Sequence, residues 1–116
     1  MILAEFADPN SRVVVAREAD GAVLGFVVYW LFPYEAHIAD IAVAPAARRG
    51  GIGKALVAEA IRGAREAKSE AMILDVRTAN EPAIALYRAA AFADLGVRPR
   101  YYANGDDALV MKLSLT

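Results

Sequence analysis

The hydrophobic pattern of the chain changes abruptly at two adjacent glycines, and this change restricts the folds that the chain can adopt. Before Gly50, segments rich in β-branched residues alternate loosely between apolar and polar positions, which is typical of strands. After Gly51 the apolar residues recur at helical spacing, at Ile52, Leu56, Val57, Ala60, Ile61 and Ala64. A strand that passes directly into a helix predicts a crossover connection to a further strand of the same sheet.

The rest of the chain predicts six strands, a second helix and a short helical segment at the start. Residues 1–7 are predicted to be the last turns of a helix that stops at the Asp-Pro-Asn sequence of 8–10. Asn80 can cap the second helix, with Pro82 in its first turn. Hairpin turns at 20–21 and 104–107 imply antiparallel pairs. The strands are predicted at 12–18, 23–31, 36–43, 71–77, 92–101 and 108–115.

These elements predict one domain, 1–116, of the α/β class (α+β type). Helices between strands require crossovers and hairpins require antiparallel pairs, so the sheet should be mixed and mostly antiparallel, with helices flanking it. Hydrophobic residues make up 58% of the chain, which is enough to bury a core.

The composition excludes several kinds of function. With 13 basic and 14 acidic side chains, the chain lacks the basic excess that nucleic-acid binding requires. It has no cysteine and one histidine, His37, which argues against thiolate chemistry and a metal site. The start carries no secretory leader and the apolar run 23–32 is too short to span a bilayer. We therefore expect a cytoplasmic protein with no membrane, metal or nucleic-acid partner.

The junction Arg48-Arg49-Gly50-Gly51-Ile52-Gly53 has the chemistry of an anion site. Free amides at a helix start attract anions, glycines let a phosphate approach the backbone, and the arginines add charge. A Walker-type loop is excluded, because Arg48 stands where it needs glycine and Ala55 where it needs Ser or Thr. The G-x-G-x-x-G pattern is also absent. The alternative is a flexible loop whose glycines merely start the helix.

Two motifs resemble one known family. The run 41–53, I-A-V-x-P-x-x-R-R-G-G-I-G, resembles the cofactor-binding motif of the GNAT superfamily of acetyl-CoA-dependent N-acetyltransferases. The run 74–92, L-D-V-R-T-A-N-E-P-A-I-A-L-Y-R-A-A-A-F, is similar to the bacterial ribosomal-protein-alanine N-acetyltransferases (RimI type). The resemblance covers the chain from about Ile2 to its end and implies a GNAT fold that lacks the family's first strand and helices.

The resemblance implies transfer of acetyl from acetyl-CoA to a primary amine by direct attack. The strand 41–43 would offer amides to the thioester and the pantetheine arm, the glycine segment would hold the pyrophosphate, and Asn80 would bind the pantetheine chain. The implied cofactor-binding residues are Ile41, Ala42, Val43, Arg48, Arg49, Gly50, Gly51, Ile52, Gly53 and Asn80. No metal is implied.

Two residues match the family's catalytic positions. Asp75 matches a glutamate general base, and its carboxylate is unusual in an otherwise apolar strand; the alternative is an ion pair with Arg77 on the same strand face. Tyr87 matches a tyrosine general acid beside the thioester sulfur; the alternative is a core aromatic at helical spacing from Ile84 and Ala91.

The acceptor is implied by resemblance alone. Glu35 and His37 match substrate-groove positions, and Tyr101 and Tyr102 could pack over an acceptor peptide; ordinary strand packing is the alternative for each. The favoured acceptor is a protein N-terminal amine, such as that of a ribosomal protein. A lysine side chain, a small amine, or acetyl-CoA binding without turnover are the other possibilities. The sheet edge left by the missing strand would invite pairing with a second copy.

Overall fold

A computed structural model describes residues 1–116 as one seven-stranded mixed sheet with two helices on one face. Its strands are β1 (Ile2–Asp8), β2 (Ser11–Arg17), β3 (Val23–Phe32), β4 (Glu35–Val43), β5 (Ala71–Arg77), β6 (Ala93–Arg98) and β7 (Ala108–Ser114); its helices are α1 (Ile52–Glu66) and α2 (Glu81–Ala89). The strand order is β1-β2-β3-β4-β5-β7-β6, and only the β4–β5 pair is parallel. The predicted fold class is confirmed.

The first segment is a strand, so the prediction of a helix over residues 1–7 is wrong. β1 pairs antiparallel with β2 along its whole length, from Ile2–Arg17 to Asp8–Ser11. The Asp8 carboxylate accepts hydrogen bonds from Asn10 N at 3.0 Å and Ser11 N at 2.9 Å, which shapes a tight turn. The Asp-Pro-Asn-Ser sequence is therefore a hairpin turn instead of a helix stop. The sheet has seven strands where six were predicted, and β1 now forms its edge.

α1 packs across the middle of the sheet and forms the core with it. Its apolar stripe lies against β2, β3 and β4, where Val14, Val27 and Tyr29 are fully buried. The approach is close at Gly63, where an added Cβ would lie 1.8 Å from the Tyr29 hydroxyl oxygen. The helix continues into this contact because glycine leaves room for the ring. Neither helix combines the length and hydropathy that a membrane span requires.

The opposite face of the sheet carries apolar side chains that no helix covers. By strand alternation, Phe6, Val13 and Val28 share this face, since Phe6 pairs with Val13 and Val13 with Val28. Trp30 and Phe32 follow on the same face and are 46% and 50% exposed. The sheet therefore has one buried face and one open face, and the open face also carries the charged residues described below.

Candidate active site

The site begins where two neighbouring strands separate. β4 and β5 are paired only from Glu35–Ala71 to Ile38–Leu74, although β4 continues to Val43 and β5 to Arg77. On its other side β4 stays paired, with Ile41 to Val43 opposite Val27 to Gly25 of β3. The backbone groups of this part of β4 that point away from β3 thus face an opening in the sheet and are free to bind a ligand.

The start of α1 borders the same opening and presents free amides. Gly51 caps the helix without a side chain, at φ 80°. The first hydrogen bond of the helix runs from Ala55 N to Gly51 O at 3.0 Å, so the amides before Ala55 have no acceptor within the helix. Arg48 and Arg49 come directly before these amides and form no ion pair. This end of α1 therefore carries the positive charge that an anion needs.

A cleft of about 620 Å³ connects the strand opening, the start of α1 and the face of α2. All of the predicted cofactor-binding residues except Gly50 line it, namely Ile41, Ala42, Val43, Arg48, Arg49, Gly51, Ile52, Gly53 and Asn80. Gly50 lies instead in a separate depression with Val23 and Leu24, on the other side of the loop. Gly53 lies in a tight contact with α2, because an added Cβ would be 3.3 Å from a terminal carbon of the Leu86 side chain.

α2 supplies a polar group and a phenol to the cleft. Asn80 caps the helix through its Oδ1, which accepts from Ala83 N at 3.3 Å, so its amide nitrogen remains free to donate. Tyr87 lines the cleft, and its hydroxyl makes no hydrogen bond within the protein. Its ring packs edge-on against Phe92 at 5.9 Å between centroids. Tyr87 is thus both a core aromatic and a cleft residue, and the two interpretations from sequence do not exclude each other.

The environment of Tyr87 keeps its hydroxyl protonated. Burial raises the pKa of Tyr87 to about 12, with smaller contributions from the charges of Asp40 and Tyr102. A phenol with that pKa is a hydrogen-bond donor at neutral pH, and it gives up its proton less readily than an ordinary tyrosine.

Asp75 holds a carboxylate oxygen that is buried and lacks a partner. Its Oδ1 is buried without any hydrogen bond, whereas Oδ2 lies 3.5 Å from the Tyr101 hydroxyl, a long contact for an O–H donor. Arg77 does not pair with Asp75, because its guanidinium turns to Asp106 at 3.1 Å. The ion pair considered from sequence therefore does not form. An unsatisfied buried oxygen is costly, and such groups are frequently functional.

The loop between β6 and β7 brings both predicted aromatic residues to Asp75. Tyr101 reaches it with its hydroxyl, and its ring meets that of Tyr102 edge-on at 5.1 Å. Burial, followed by the charge of Asp75, raises the pKa of Tyr102. Both tyrosines thus lie beside Asp75, and their contact with an acceptor stays a prediction.

Glu35 and His37 lie at the start of β4, where it still pairs with β5, and their side chains are on the open face. His37 Nε2 is 3.2 Å from Glu35 Oε1, and the His37 ring meets Phe32 edge-on at 5.2 Å. His37 pairs with Ile73, two residues before Asp75 on the same face. Glu35 instead lines a separate depression at the other end of the strand. The structure therefore places His37 on the strand next to that of Asp75, and neither His37 nor Glu35 lines the cleft.

Comparison with known proteins decides the family. Residues 2–92 match the Acetyltransferase (GNAT) family. The chain belongs to the GNAT family.

Three relatives show how this GNAT chain compares in length. It is 48% identical to an uncharacterized protein of Mycobacterium leprae, over 93% of this chain and 30% of that protein. It is 39% identical to streptothricin acetyltransferase of Streptomyces lavendulae, over 95% of this chain and 61% of that protein. It is 36% identical to N-alpha-acetyltransferase RimI of Mycobacterium tuberculosis, over 93% of this chain and 69% of that protein. The GNAT chain thus spans 30% to 69% of the length of these relatives.

Two solved GNAT-type structures share the fold closely. The ribosomal-protein-S18-alanine N-acetyltransferase of Escherichia coli superposes with a TM-score of 0.86 at 28% identity, over 95% of this chain and 72% of that one. Nourseothricin acetyltransferase superposes with the same TM-score at 35% identity, over 96% and 69%. The similarity thus extends equally to a protein named for a protein acceptor and to one named for an antibiotic.

The sequence analysis did not single out Asp40, a charged residue near the candidate site. Asp40 lies on β4 beyond the last β4–β5 pair and directly after a bulge at Ala39, which has no partner between the pairs Ile38–Tyr29 and Asp40–Val28. The charge of Asp40 contributes to the raised pKa of Tyr87. Bulges recur next to active sites because they redirect a side chain. The signal that singled out Asp75, a carboxylate in an apolar strand, applies equally to Asp40. No group of three or more His, Cys, Asp or Glu side chains is arranged to hold a metal ion.

Proposed function

We propose that this GNAT chain is an acetyl-CoA-dependent N-acetyltransferase whose acceptor is a protein N-terminal amine, such as that of a ribosomal protein. The single observation that carries the proposal is the cleft in which the open part of β4, the free amides of α1 and the Tyr87 hydroxyl meet. A ribosomal-protein acceptor would place the reaction in the cytoplasm.

The cleft fits the chemical parts of acetyl-CoA. The free amides at the start of α1, with Arg48 and Arg49, suit a pyrophosphate, which needs several donors and positive charge. The unpaired backbone of Ile41 to Val43 and the free amide nitrogen of Asn80 suit the amide-containing pantetheine arm. When bound, acetyl-CoA supplies an acetyl group activated as a thioester.

Asp75 is the proposed proton acceptor. An alkyl ammonium has no free electron pair, so it must lose a proton before its nitrogen can attack. The Oδ1 atom of Asp75 is buried and makes no hydrogen bond, so it can take that proton directly or through one water. The acceptor nitrogen then attacks without a covalent bond to the protein. Aspartate is one methylene shorter than glutamate, which favours the water-mediated route.

Tyr87 is the proposed donor to the leaving sulfur. With a pKa of about 12, its hydroxyl is protonated at every physiological pH. A thiol has an ordinary pKa of about 8.5, so complete proton transfer from Tyr87 to a free thiolate is uphill by roughly 3 to 4 pK units. Tyr87 therefore acts chiefly as a hydrogen-bond donor that stabilises charge on the sulfur.

A small polyamine-like acceptor is the second candidate. The relative named streptothricin acetyltransferase is 39% identical, and the structure named nourseothricin acetyltransferase is 35% identical. Two carboxylates, Asp40 and Asp75, lie on the two strands that border the opening and pair with no cation. They suit an acceptor that carries more than one ammonium group.

Calorimetric titration with acetyl-CoA tests the cofactor half of the proposal. The Arg48→Ala/Arg49→Ala variant should bind at least about tenfold more weakly than the parent, since it loses charged donors to phosphate. The Arg17→Ala/Arg65→Ala variant, which removes the same charge outside the cleft, should bind as the parent does. Equal affinity in all three proteins would contradict the assigned phosphate site.

An acceptor screen by mass spectrometry tests the other half. The parent is incubated with acetyl-CoA and one of three acceptors: a peptide with a free N-terminal alanine, the same peptide N-terminally blocked but carrying lysine, or streptothricin. Acetylation of the first peptide supports the proposal, and acetylation of streptothricin alone supports the second candidate. Tight acetyl-CoA binding with no transfer to any acceptor indicates a binding module without turnover.

A further inference from the structure

Arg77 ends β5 two residues after Asp75, and the proposed reaction gives it no role. Its Nη1 donates hydrogen bonds to Asn104 Oδ1 and Asp106 Oδ2, both at 3.1 Å. Its guanidinium carbon lies 4.0 Å from the centre of the Tyr102 ring. All three partners belong to residues 99–107 between β6 and β7, which we call the tyrosine loop. Arg77 thus joins the strand that carries Asp75 to the loop that lies beside it.

The internal bonds of the tyrosine loop shape its tip without fixing where the tip lies. Asn104 Oδ1 accepts from Asp106 N at 3.1 Å, and Asn104 Nδ2 donates to Asp106 Oδ2 at 3.0 Å. At the base of the loop, Thr78 N donates to Asp107 O at 3.1 Å. The tip itself is tied to the sheet by Arg77, whose two acceptors are the same Asn104 and Asp106.

The position of the tip determines what surrounds Asp75. The Tyr102 ring is stacked under Arg77 and meets the Tyr101 ring edge-on at 89°. The Tyr101 hydroxyl in turn lies 3.5 Å from Asp75 Oδ2. Displacement of Tyr102 would therefore move Tyr101 and open the surroundings of Asp75 to water.

We propose that Arg77 is a positioning residue that holds the tyrosine loop against Asp75, so that Tyr101 and Tyr102 form one wall of the acceptor site. It acts through the loop and touches no reacting atom; its link to acceptor binding rests on the proposed function. Arginine suits this role because its planar group stacks on an aromatic ring while its N–H groups donate in the ring plane. A lysine ammonium cannot do both.

Limited proteolysis tests the restraint without any assay of activity. Trypsin can cut the Arg100–Tyr101 bond in the loop, whereas Pro99 protects the bond after Arg98. In Arg77→Ala the rate of cleavage after Arg100, followed by mass spectrometry, should rise about tenfold, because the opening of the loop becomes easier. The matched control is Arg88→Ala, which breaks the exposed Arg88–Asp94 pair on α2 and β6. It should leave that rate unchanged.

Steady-state kinetics test the consequence for the acceptor. With the alanine peptide, Arg77→Ala should raise the acceptor KM about tenfold and leave the acetyl-CoA KM unchanged, since the cofactor residues lie on β4, α1 and α2. Arg77→Lys should restore little of this loss. A merely structural role would instead lower the melting temperature and change both KM values together.

The outcomes separate this inference from the proposed function. Unchanged cleavage after Arg100 in Arg77→Ala overturns the restraint. Faster cleavage with an unchanged acceptor KM overturns the assignment of the loop as an acceptor wall. A parent that acetylates no acceptor contradicts the proposed function, and the trypsin comparison still decides whether Arg77 restrains the loop.

Discussion

At the scale of single residues, the unusual feature of Asp75 is a carboxylate oxygen that has no hydrogen-bond partner. One of its oxygens is buried without a hydrogen bond, whereas the other buried side-chain nitrogen and oxygen atoms have partners. An oxygen left unsatisfied in this way costs about 1 to 3 kcal/mol, and this cost is why Asp75 is our candidate proton acceptor. The structure excludes the ion pair with Arg77, and the catalytic role of Asp75 stays a prediction.

Asp75→Asn should abolish most of the turnover and leave cofactor binding intact. The amide cannot accept the ammonium proton, so kcat should fall about 10²- to 10⁴-fold. Calorimetry should give an unchanged affinity for acetyl-CoA, because Asp75 does not line the cofactor cleft. Asp75→Glu restores the longer carboxylate of the family and should keep activity. An unchanged kcat in Asp75→Asn would contradict the role of general base.

Tyr87 should make the stability of the fold sensitive to alkaline pH. Its pKa is raised by burial from about 10 to about 12, so the folded chain holds this proton more tightly than the unfolded chain. The resulting stabilisation is fully present below pH 10 and is lost as the pH rises towards 12. It amounts to about 2 to 3 kcal/mol. Tyr87→Phe should remove this part of the pH dependence in urea unfolding between pH 8 and 11.5.

Tyr29 provides the internal comparison for that experiment. Burial raises its pKa to about 12 as well, followed by the charge of Glu5, whose carboxylate lies 3.2 Å from the Tyr29 hydroxyl. The Tyr87→Phe variant should therefore retain the contribution of Tyr29. Its free energy of unfolding should fall at alkaline pH by about half as much as that of the parent, in which both tyrosines contribute. If the free energy of unfolding depends on pH in the same way in the parent and the variant, the raised pKa of Tyr87 is wrong.

At the scale of elements, the sequence predicted the parts that depend on local pattern. The change from strand-like to helical spacing of apolar residues at Gly50 and Gly51 located α1. Asn80 was correctly predicted as the cap of α2. β1 was missed because a seven-residue apolar segment before a turn suits a helix end or a hairpin arm equally well. Pairing with β2 decides between them, and pairing is not a local property.

The contacts that the sequence could not predict join residues far apart in the chain. Arg77 bonds to Asn104 and Asp106, 27 and 29 residues away, although a carboxylate lies two positions before it on the same strand. Tyr101 reaches Asp75 across 26 residues. These contacts follow from the β5–β7 pairing, which brings the loop beyond β6 back over the end of β5. The sequence alone does not specify which residues of β5 and β7 pair.

Two substitutions at Asn80 should separate the stability of α2 from cofactor binding. Asn80→Ala removes the cap and should lower the free energy of unfolding by about 1 kcal/mol. Asn80→Asp keeps a capping oxygen and should be as stable as the parent in urea unfolding. It lacks the amide donor and adds negative charge to the cleft, so it should bind acetyl-CoA more weakly in calorimetry. Parent-like binding by Asn80→Asp would remove Asn80 from the cofactor site.

At the scale of the whole molecule, the sheet has one covered face, one open face and two free edges. β1 and β6 are the end strands, and both carry exposed apolar side chains. Ile2 and Phe6 on β1 are 56% and 54% exposed, and Leu95 on β6 is 60% exposed. Free strand edges with apolar side chains pair with other chains unless something blunts them.

We propose that this chain forms a homodimer through the edge of β1. Sedimentation over a concentration series should give a dimer for the parent and a monomer for Phe6→Lys, because a lysine on an edge strand opposes pairing by charge and hydration. Phe6 also lies on the open face, so a dimer at this edge buries apolar surface that no helix covers. Leu95→Lys makes the same change on β6 and should remain dimeric. A monomer in Leu95→Lys with a dimer in Phe6→Lys would assign the interface to the opposite edge, and a monomeric parent at all concentrations would contradict the dimer.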